Sequence, residues 1–454
     1  MHNAIAPRAA AFSEETPLAK SDPVVIIGAG LAGLSTAYHL RGRDCVVLEK
    51  AEGPGGLAGS RRAGGFTFDY TGHLLHLREP SVIALIEELL AGELAVHERR
   101  AAIYSQETLT PYPFQANTHG LPTQVVYECV AGFVRTLLEG REPSKDPNQS
   151  FREWTLETFG EGIAKHFMFP YNEKMWLRSL DDITADWVSW AVPRPTLDEV
   201  LKGALGVVNR GMGYNPTFRY PRKGGIHVLP DRLAERVPGV RYREEAIAID
   251  TASRTVTTSR GATIPYSAIV NTMPLPLLLA RLSPAEASLA QARARLDWTE
   301  IYDLNLRIGR PRVSDQHWIY FPGPEYPFYR VGFPSNFSDS VAPAGCSALY
   351  VELAVRRGEA RDEAAIVSSA IDGLERAGIL RKGDAIVAQD LVRIDPAYVL
   401  FDRPRRAVLP GVFERLESMD IKSIGRYGAW TYSYMEAAIL DGMKAAAQLS
   451  GVAV

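Results

Sequence analysis

"VVIIGAGLAGLSTAYHLRGRDCVVLEK", residues 24–50, decides the fold. The apolar run Val24 to Ile27 ends in a glycine and reads as a strand buried on both faces of a parallel sheet. Gly28, Gly30 and Gly33 follow in G-x-G-x-x-G spacing, then an amphipathic helix to about Leu40, then a second strand with Glu49 at its end. Gly28 makes the tight turn, Gly30 lets backbone approach a pyrophosphate, and Gly33 lets helix close on strand. The helix N-terminus meets phosphate with unpaired N–H groups and a partial positive charge. Glu49 stands where a carboxylate accepts the ribose hydroxyls of an adenosine. A glycine-rich turn alone would be weak evidence; strand, turn, helix, strand and acid in succession indicate a dinucleotide.

The bulk properties set limits around that unit. A chain of 454 residues suggests two or three domains, and a net charge of −3 with 46% apolar residues describes an ordinary globular protein. No Lys/Arg run with interleaved aromatics suggests nucleic acid as a partner. Three scattered cysteines make neither a disulfide framework nor a metal-ligand spacing, so a reducing cytoplasm is expected and no metal. No stretch approaches 18 uninterrupted apolar residues, so no membrane span is expected. Residues 1–22 lack the regions of a signal peptide and read as a mobile tail. The oligomeric state is left open.

The loop after Glu49, "EKAEGPGGLAGS", carries a second glycine cluster that includes Gly55 and Gly56. It resembles the flavoprotein amine-oxidase superfamily, in which a second loop passes the flavin pyrophosphate, and so selects FAD over NAD. "VRYREEAIAIDTASRTVTTSRGATIPYSAIVNTMP" (240–274) reads as short strands ending in one that returns to the nucleotide sheet. "IGRYGAWTYSYMEAAILDGMKAAAQL" supplies glycines and a helix whose start, near Met435 and Glu436, can face the flavin. The expected fold is α/β: a discontinuous Rossmann-like FAD-binding domain (23–77, 218–294, 396–454), an inserted, mostly helical cap (78–217) and an antiparallel substrate-binding sheet (295–395). Within the cap, 78–110 and 145–210 lean helical. No second strand–GxGxxG–helix unit appears, so NAD(P)H as an electron donor would have to bind in the cleft.

Candidate site residues come from three further stretches. "FTFDYTGHLLHL" places Gly72 and His73 shortly after the flavin glycines; His73 is either beside the isoalloxazine or a core histidine satisfied by backbone. "TPYPFQAN" offers Tyr112 and Phe114, two rings that can sandwich a planar base, and Gln115, whose amide can pair with a pyrimidine edge; a packed loop is the alternative. "HWIYFPGPEYPFYRVGFPSNFS" (317–338) crowds aromatic rings around Arg330. That guanidinium either stacks on a ring or grips an anion.

Taken in order, these segments with "YNEKMW", "YNPTFRYP", "DPAYVLFDRP" and "GRYGAWTY" resemble the UDP-galactopyranose mutase family, eukaryotic type, over about residues 23–450. The resemblance implies that Tyr112, Phe114 and Gln115 hold uracil, and that Arg330 contacts the nucleotide-sugar pyrophosphate. It implies that Tyr320, Tyr398 and Tyr432 line the same site with Asn215. Asn336, in the Ser-Asn-Phe-Ser end of its segment, is grouped with the substrate contacts. Arg426 would lie beside the flavin, and His73 on a loop that moves with the flavin's redox state. The catalytic set is then His73, Arg330, Tyr398 and Tyr432. The reaction implied is interconversion of pyranose and furanose forms of a UDP-sugar. Reduced FAD attacks the anomeric carbon through N5, with no net redox change. A flavin oxidoreductase acting on a nucleotide-linked sugar or another small molecule is the alternative.

The resemblance has gaps on the sugar–phosphate side. A second phosphate-binding arginine of the family falls on Ala191, with Arg194 three residues further on. The glycine-rich flap is shortened to "RKGGIHVL", and Glu436 stands where another asparagine would contact substrate. The uridine nucleotide is therefore a firmer expectation than galactose.

Overall fold

The computed structural model describes residues 22–40, 43–140, 143–144, 146–188, 192–207, 209 and 216–451. The expected tail, up to residue 21, lies outside them, as do Ala191 and Asn215. Val24–Ile27 is the middle strand of a five-stranded parallel sheet ordered Ile421–Ser423, Ala268–Asn271, Val24–Ile27, Cys45–Leu48, Val240–Arg241. Its residues alternate between two cores. Val24 and Ile26 pack with Leu31, Leu34 and Ile439, while Val25 and Ile27 pack with Ile269, Leu278 and Leu416. Burial on both faces is why the strand reads as an unbroken apolar run. Strands from three distant stretches build this one layer.

The helix Leu31–His39 lies so close over the first turn that a β-carbon on Gly33 would stand 2.0 Å from the Gly28 carbonyl oxygen. On its other side the C-terminal helix Met435–Ser450 packs against it, with Ser35 Oγ donating to the Ile439 carbonyl at 2.7 Å. The segment Gly425–Gly428 reaches the same place, since a β-carbon on Gly425 would meet Ala32 Cβ at 2.9 Å.

The second large sheet has seven strands: Ile386–Val399, Trp298–Ile308, Ser347–Arg356, Arg330–Gly332, Trp318–Tyr320, Ala101–Ser105 and Thr108–Pro111. Every pair is antiparallel except Trp318–Tyr320 with Ala101–Ser105, which is parallel. Because side chains alternate across a strand, the sheet has two distinct faces. One is apolar: Leu304, Leu306, Val331, Leu349 and Val351 pack under Ile366, Ala370 and Leu374 of the helix Glu363–Arg376. Each such buried leucine, isoleucine or valine contributes roughly 1.5–3 kcal/mol. The other face carries polar residues toward the cleft.

Residues 94–111 correct the helical reading of 78–110. Pro80–Leu89 is a helix, but Leu94–Glu98, Ala101–Ser105 and Thr108–Pro111 are strands. Their partners, Thr217–Pro221 and Trp318–Tyr320, lie far along the chain, and pairing at that separation decides the conformation over local pattern. The helical layer is Thr123–Leu138, Phe151–Ile163, Phe169–Trp176 and Leu197–Ala204. A π-turn at Ala164–Met168 joins the second and third of these and turns Phe167 inward. No helix among the described residues is long and apolar enough to cross a membrane.

Candidate active site

At the nucleotide end the first turn and the second glycine loop are tied together. Gly55 N–H donates to the Ala29 carbonyl at 2.8 Å, and Gly30 and Gly55 bridge. Glu49 is buried at the end of its strand; its Oε2 accepts from Ala29 N–H at 2.7 Å and its Oε1 from Ala51 N–H at 2.8 Å. The carboxylate is thus fixed beside the turn. Neither Leu31–His39 nor Met435–Ser450 has a side-chain cap at its start, so their first N–H groups keep the donor capacity that phosphate uses. Met435 is buried there, and Glu436 accepts the N–H groups of Arg78 and Glu79 at 2.6 and 2.8 Å. Glu436 therefore braces the chain.

From the second loop a hairpin, Ser60–Ala63 with Phe66–Asp69, leads into Thr71-Gly72-His73. A β-carbon on Gly72 would stand 2.3 Å from the Tyr350 hydroxyl, so the backbone here rests directly on the sheet. Burial, then the Arg426 and Arg330 charges, push the His73 imidazole down to about 4, so it is neutral at pH 7. Its Nδ1 is buried without a partner. Arg426 donates to the carbonyls of Ser433 and Ala397 at 2.9 and 3.1 Å, and its Nε is also buried without a partner. The rings of Tyr398, Tyr427 and Tyr432 surround its Cζ at 5.4, 5.7 and 5.0 Å.

Across the polar face of the large sheet, Tyr320, Arg330, Glu352 and Asp303 stand opposite one another on four successive strands. Arg330 donates through Nε and Nη2 to the two oxygens of Glu352 at 2.7 and 2.8 Å, and the Tyr329 hydroxyl donates to Glu352 Oε2 at 2.5 Å. Glu352 is fully buried and the Arg330 side chain is 20% exposed. A two-bond fork uses one edge of a guanidinium and leaves the other edge for a ligand. Asp303 is fully buried beside this pair; burial and the Glu352 charge push its carboxyl up to about 8. Neither acid stood out in the sequence. The signal was there in Asp303, Asn305 and Arg307, polar at every second place in the otherwise apolar stretch 301–308.

Aromatic rings close the cleft. Tyr112 lies 5.5 Å from Tyr320, with Arg99 Cζ 4.6 Å from the Tyr112 ring centre. Tyr171 meets Tyr320 edge-on at 5.4 Å, and Tyr398 meets Tyr432 at 5.9 Å in front of Trp176 and Trp187. Burial raises the phenols of Tyr112, Tyr171, Tyr320 and Tyr398, so all four stay protonated and act as donors. Arg99 was missed because it has no local motif; Tyr171 opens "YNEKMW" but drew no role there.

Not every expected residue arrives. Phe114 is fully buried and stacked on Phe167 at 5.0 Å, so the two-ring clamp has one open ring, Tyr112. Gln115 is buried with its amide donating to the Pro193 carbonyl at 2.7 Å. Asn336 spends its amide on the carbonyls of Ser314 and Gln316. Spacing fixed which residues alternate here, not which side the cleft takes. Arg194 is exposed, over the Trp154 ring at 5.3 Å, and gives no second arginine to the cleft.

A family model for flavin-containing amine oxidoreductases matches residues 31–379. The chain belongs to that family. Among relatives in sequence, the coproporphyrinogen III oxidase of Mycobacterium tuberculosis (strain CDC 1551 / Oshkosh) is 28% identical over 295 residues, 60% of this chain and 62% of that protein. The chain thus spans about six-tenths of the length of that relative. The zeta-carotene-forming phytoene desaturase of Myxococcus xanthus is 24% identical over 379 residues, 72% of this chain and 71% of that protein. The crystal structure of a reduced UDP-galactopyranose mutase superposes with a TM-score of 0.90 at 27% identity, covering 95% of this chain and 94% of that one. Putrescine oxidase bound to putrescine, at 16% identity and a TM-score of 0.67 over 95% of this chain and 99% of that one, shares the fold alone. The residues present fit the family's flavin: the two tied glycine turns and fixed Glu49 suit the adenosine and pyrophosphate. The unpartnered Nδ1 of His73 and Nε of Arg426 mark where a further polar group is wanted.

Proposed function

We propose that this flavoprotein is a mutase that interconverts the pyranose and furanose forms of a UDP-sugar, using reduced FAD and leaving the sugar's oxidation state unchanged. The observation that carries the reading is the gathering of Tyr112, Tyr320 and Arg330 on the sheet and of Tyr398, Tyr432 and Arg426 around the flavin end, with His73 within the field of both arginines. A cleft of protonated phenols and guanidinium groups suits a diphosphate, and the likeness to a UDP-galactopyranose mutase over nearly the whole chain supports it. Bound and reduced, FAD would supply the nucleophile that displaces UDP.

The chain's own residues then have defined tasks. Tyr112 offers its face to the uracil, with Arg99 on the ring supplying a cation near the diphosphate where the family's second arginine is lacking. Arg330 offers its outer edge to a phosphate; its charge is already balanced by Glu352, so it orients through directed bonds more than by attraction. Tyr320, Tyr398 and Tyr432 donate hydroxyls that hold departing UDP in place. The proposed setting is the reducing cytoplasm, in keeping with three unpaired cysteines. NAD(P)H, as an electron donor, would dock in the same cleft.

The alternative, a flavin oxidoreductase on a nucleotide-linked sugar or other small molecule, draws support from the names of the sequence relatives and from Ala191. Titration of the FAD-loaded protein with UDP by calorimetry tests the proposal. Binding that weakens at least tenfold in both Arg330→Lys and Tyr112→Ala is expected. No heat with UDP would remove the nucleotide-sugar reading.

A further inference from the structure

The segment Thr71-Gly72-His73 is held in a conformation its own sequence disfavours. Thr71 has φ +65°, and it is the one β-branched residue with positive φ among the described residues. Such a conformation persists only where surroundings enforce it. Two contacts do so from below. The Thr71 N–H donates to Asp303 Oδ2 at 3.3 Å, and Gly72 lies on the Tyr350 hydroxyl with no room for a β-carbon. Asp303 is itself fixed by the Asn305 amide, which donates to the same Oδ2 at 3.1 Å. It stands opposite Glu352, the partner of Arg330. Its second oxygen, Oδ1, is buried with no partner.

We propose that Asp303 is a positioning residue that clamps the strained Thr71–His73 backbone at the flavin's edge through its bond to the Thr71 N–H. The inference rests on the family's flavin and needs no assumption about the sugar. A buried acid placed against a second buried acid is costly, so its presence calls for a reason beyond packing. Its presence is explained by the acceptor it offers. Asp303 is held neutral by its burial and by Glu352, so an amide in its place keeps both the charge state and the acceptor oxygen.

Asp303→Asn and Asp303→Leu separate this role from general packing. Both variants, purified with FAD, would be compared with the parent for thermal unfolding, flavin absorbance and flavin reduction potential. Asp303→Leu leaves the Thr71 N–H and the Asn305 amide without their acceptor, so it is expected to melt lower than the parent and to change the ratio of affinities for oxidised and reduced flavin at least tenfold. That is about 30 mV for a two-electron couple. Asp303→Asn is expected to keep the parent's spectrum and potential. Because glycine adopts φ +65° freely, adding Thr71→Gly to Asp303→Leu should recover most of the shift. A parental potential in Asp303→Leu overturns the proposal. So does an Asp303→Asn shift as large as that of the leucine variant. Should Asp303→Leu fail to fold, Asp303→Ala decides the matter: it too lacks the acceptor for the Thr71 N–H, so the potential should shift in the same direction, and an unchanged potential overturns the proposal. None of these readouts uses a nucleotide sugar, so their failure is distinct from failure to bind UDP.

Discussion

Asp303 makes the stability of this protein depend on pH in a way its surface charges would not. The groups facing it are Glu352 and Tyr350 from Ser347–Arg356, Arg330 from the next strand, Asn305 on its own strand and the Thr71 backbone. On the other side its register partner is the apolar Val392. The carboxyl is raised from 3.8 to about 8. Between those values the folded chain holds a proton that the unfolded chain has released. Stability therefore falls with rising pH, by about 1.4 kcal/mol per unit for one proton. His73 and His76, pushed down to about 4, and His317, pushed down to about 3, act in the opposite sense. Their contribution is fully present above the unfolded value of about 6.5 and is lost toward acid. Those histidines remain in Asp303→Asn, so the difference between the two proteins isolates the acid. Urea unfolding of both, saturated with FAD and followed by tryptophan fluorescence, should show the variant gaining about 2.7 kcal/mol on the parent from pH 5 to pH 7. The gain should level off through pH 8. A difference that stays constant across that range would refute the buried, neutral acid.

Arg330→Ala would leave Glu352 buried, unpaired and beside Asp303, so a loss of about 3–5 kcal/mol is expected; adding Glu352→Gln should recover much of it, measured in urea. Gly33→Ala would drive a β-carbon to 2.0 Å from the Gly28 carbonyl, parting helix from turn; a loss of about 1–3 kcal/mol and a lowered flavin-to-protein ratio in absorbance are expected. Arg99→Ala, by removing a charge-assisted contact worth about 1.5–3 kcal/mol, should weaken UDP roughly tenfold to a hundredfold in calorimetry while leaving the flavin spectrum unchanged.

Much of the frame could be read from one sequence because its causes are local. A buried strand running into Gly28, Gly30 and Gly33 has few other uses, and Glu49 follows at the distance one helix and one strand require. Arg330, Tyr320, Tyr398 and Tyr432 were legible through their motifs. What escaped depends on pairing between distant strands. Glu352 and Asp303 sit in "SALYVELAV" and "EIYDLNLRIG", segments recognisable as strands, but only register sets the two acids face to face beneath Arg330. Phe114 and Gln115 show the converse. Their spacing suggested a clamp, yet the helical layer, through Phe167, takes the Phe114 ring into its core. Residues 94–111 became strands because of partners their own pattern does not contain.

The measurement that bears most directly on the account is anaerobic. The FAD-loaded protein, reduced with dithionite, would be mixed with a panel of UDP-hexoses and UDP-deoxyhexoses and the products resolved by chromatography and mass. The account predicts a new nucleotide-sugar peak of unchanged mass that forms only with reduced flavin. A product two mass units lighter, formed by the oxidised protein with uptake of oxygen, would contradict it and make the protein an oxidoreductase.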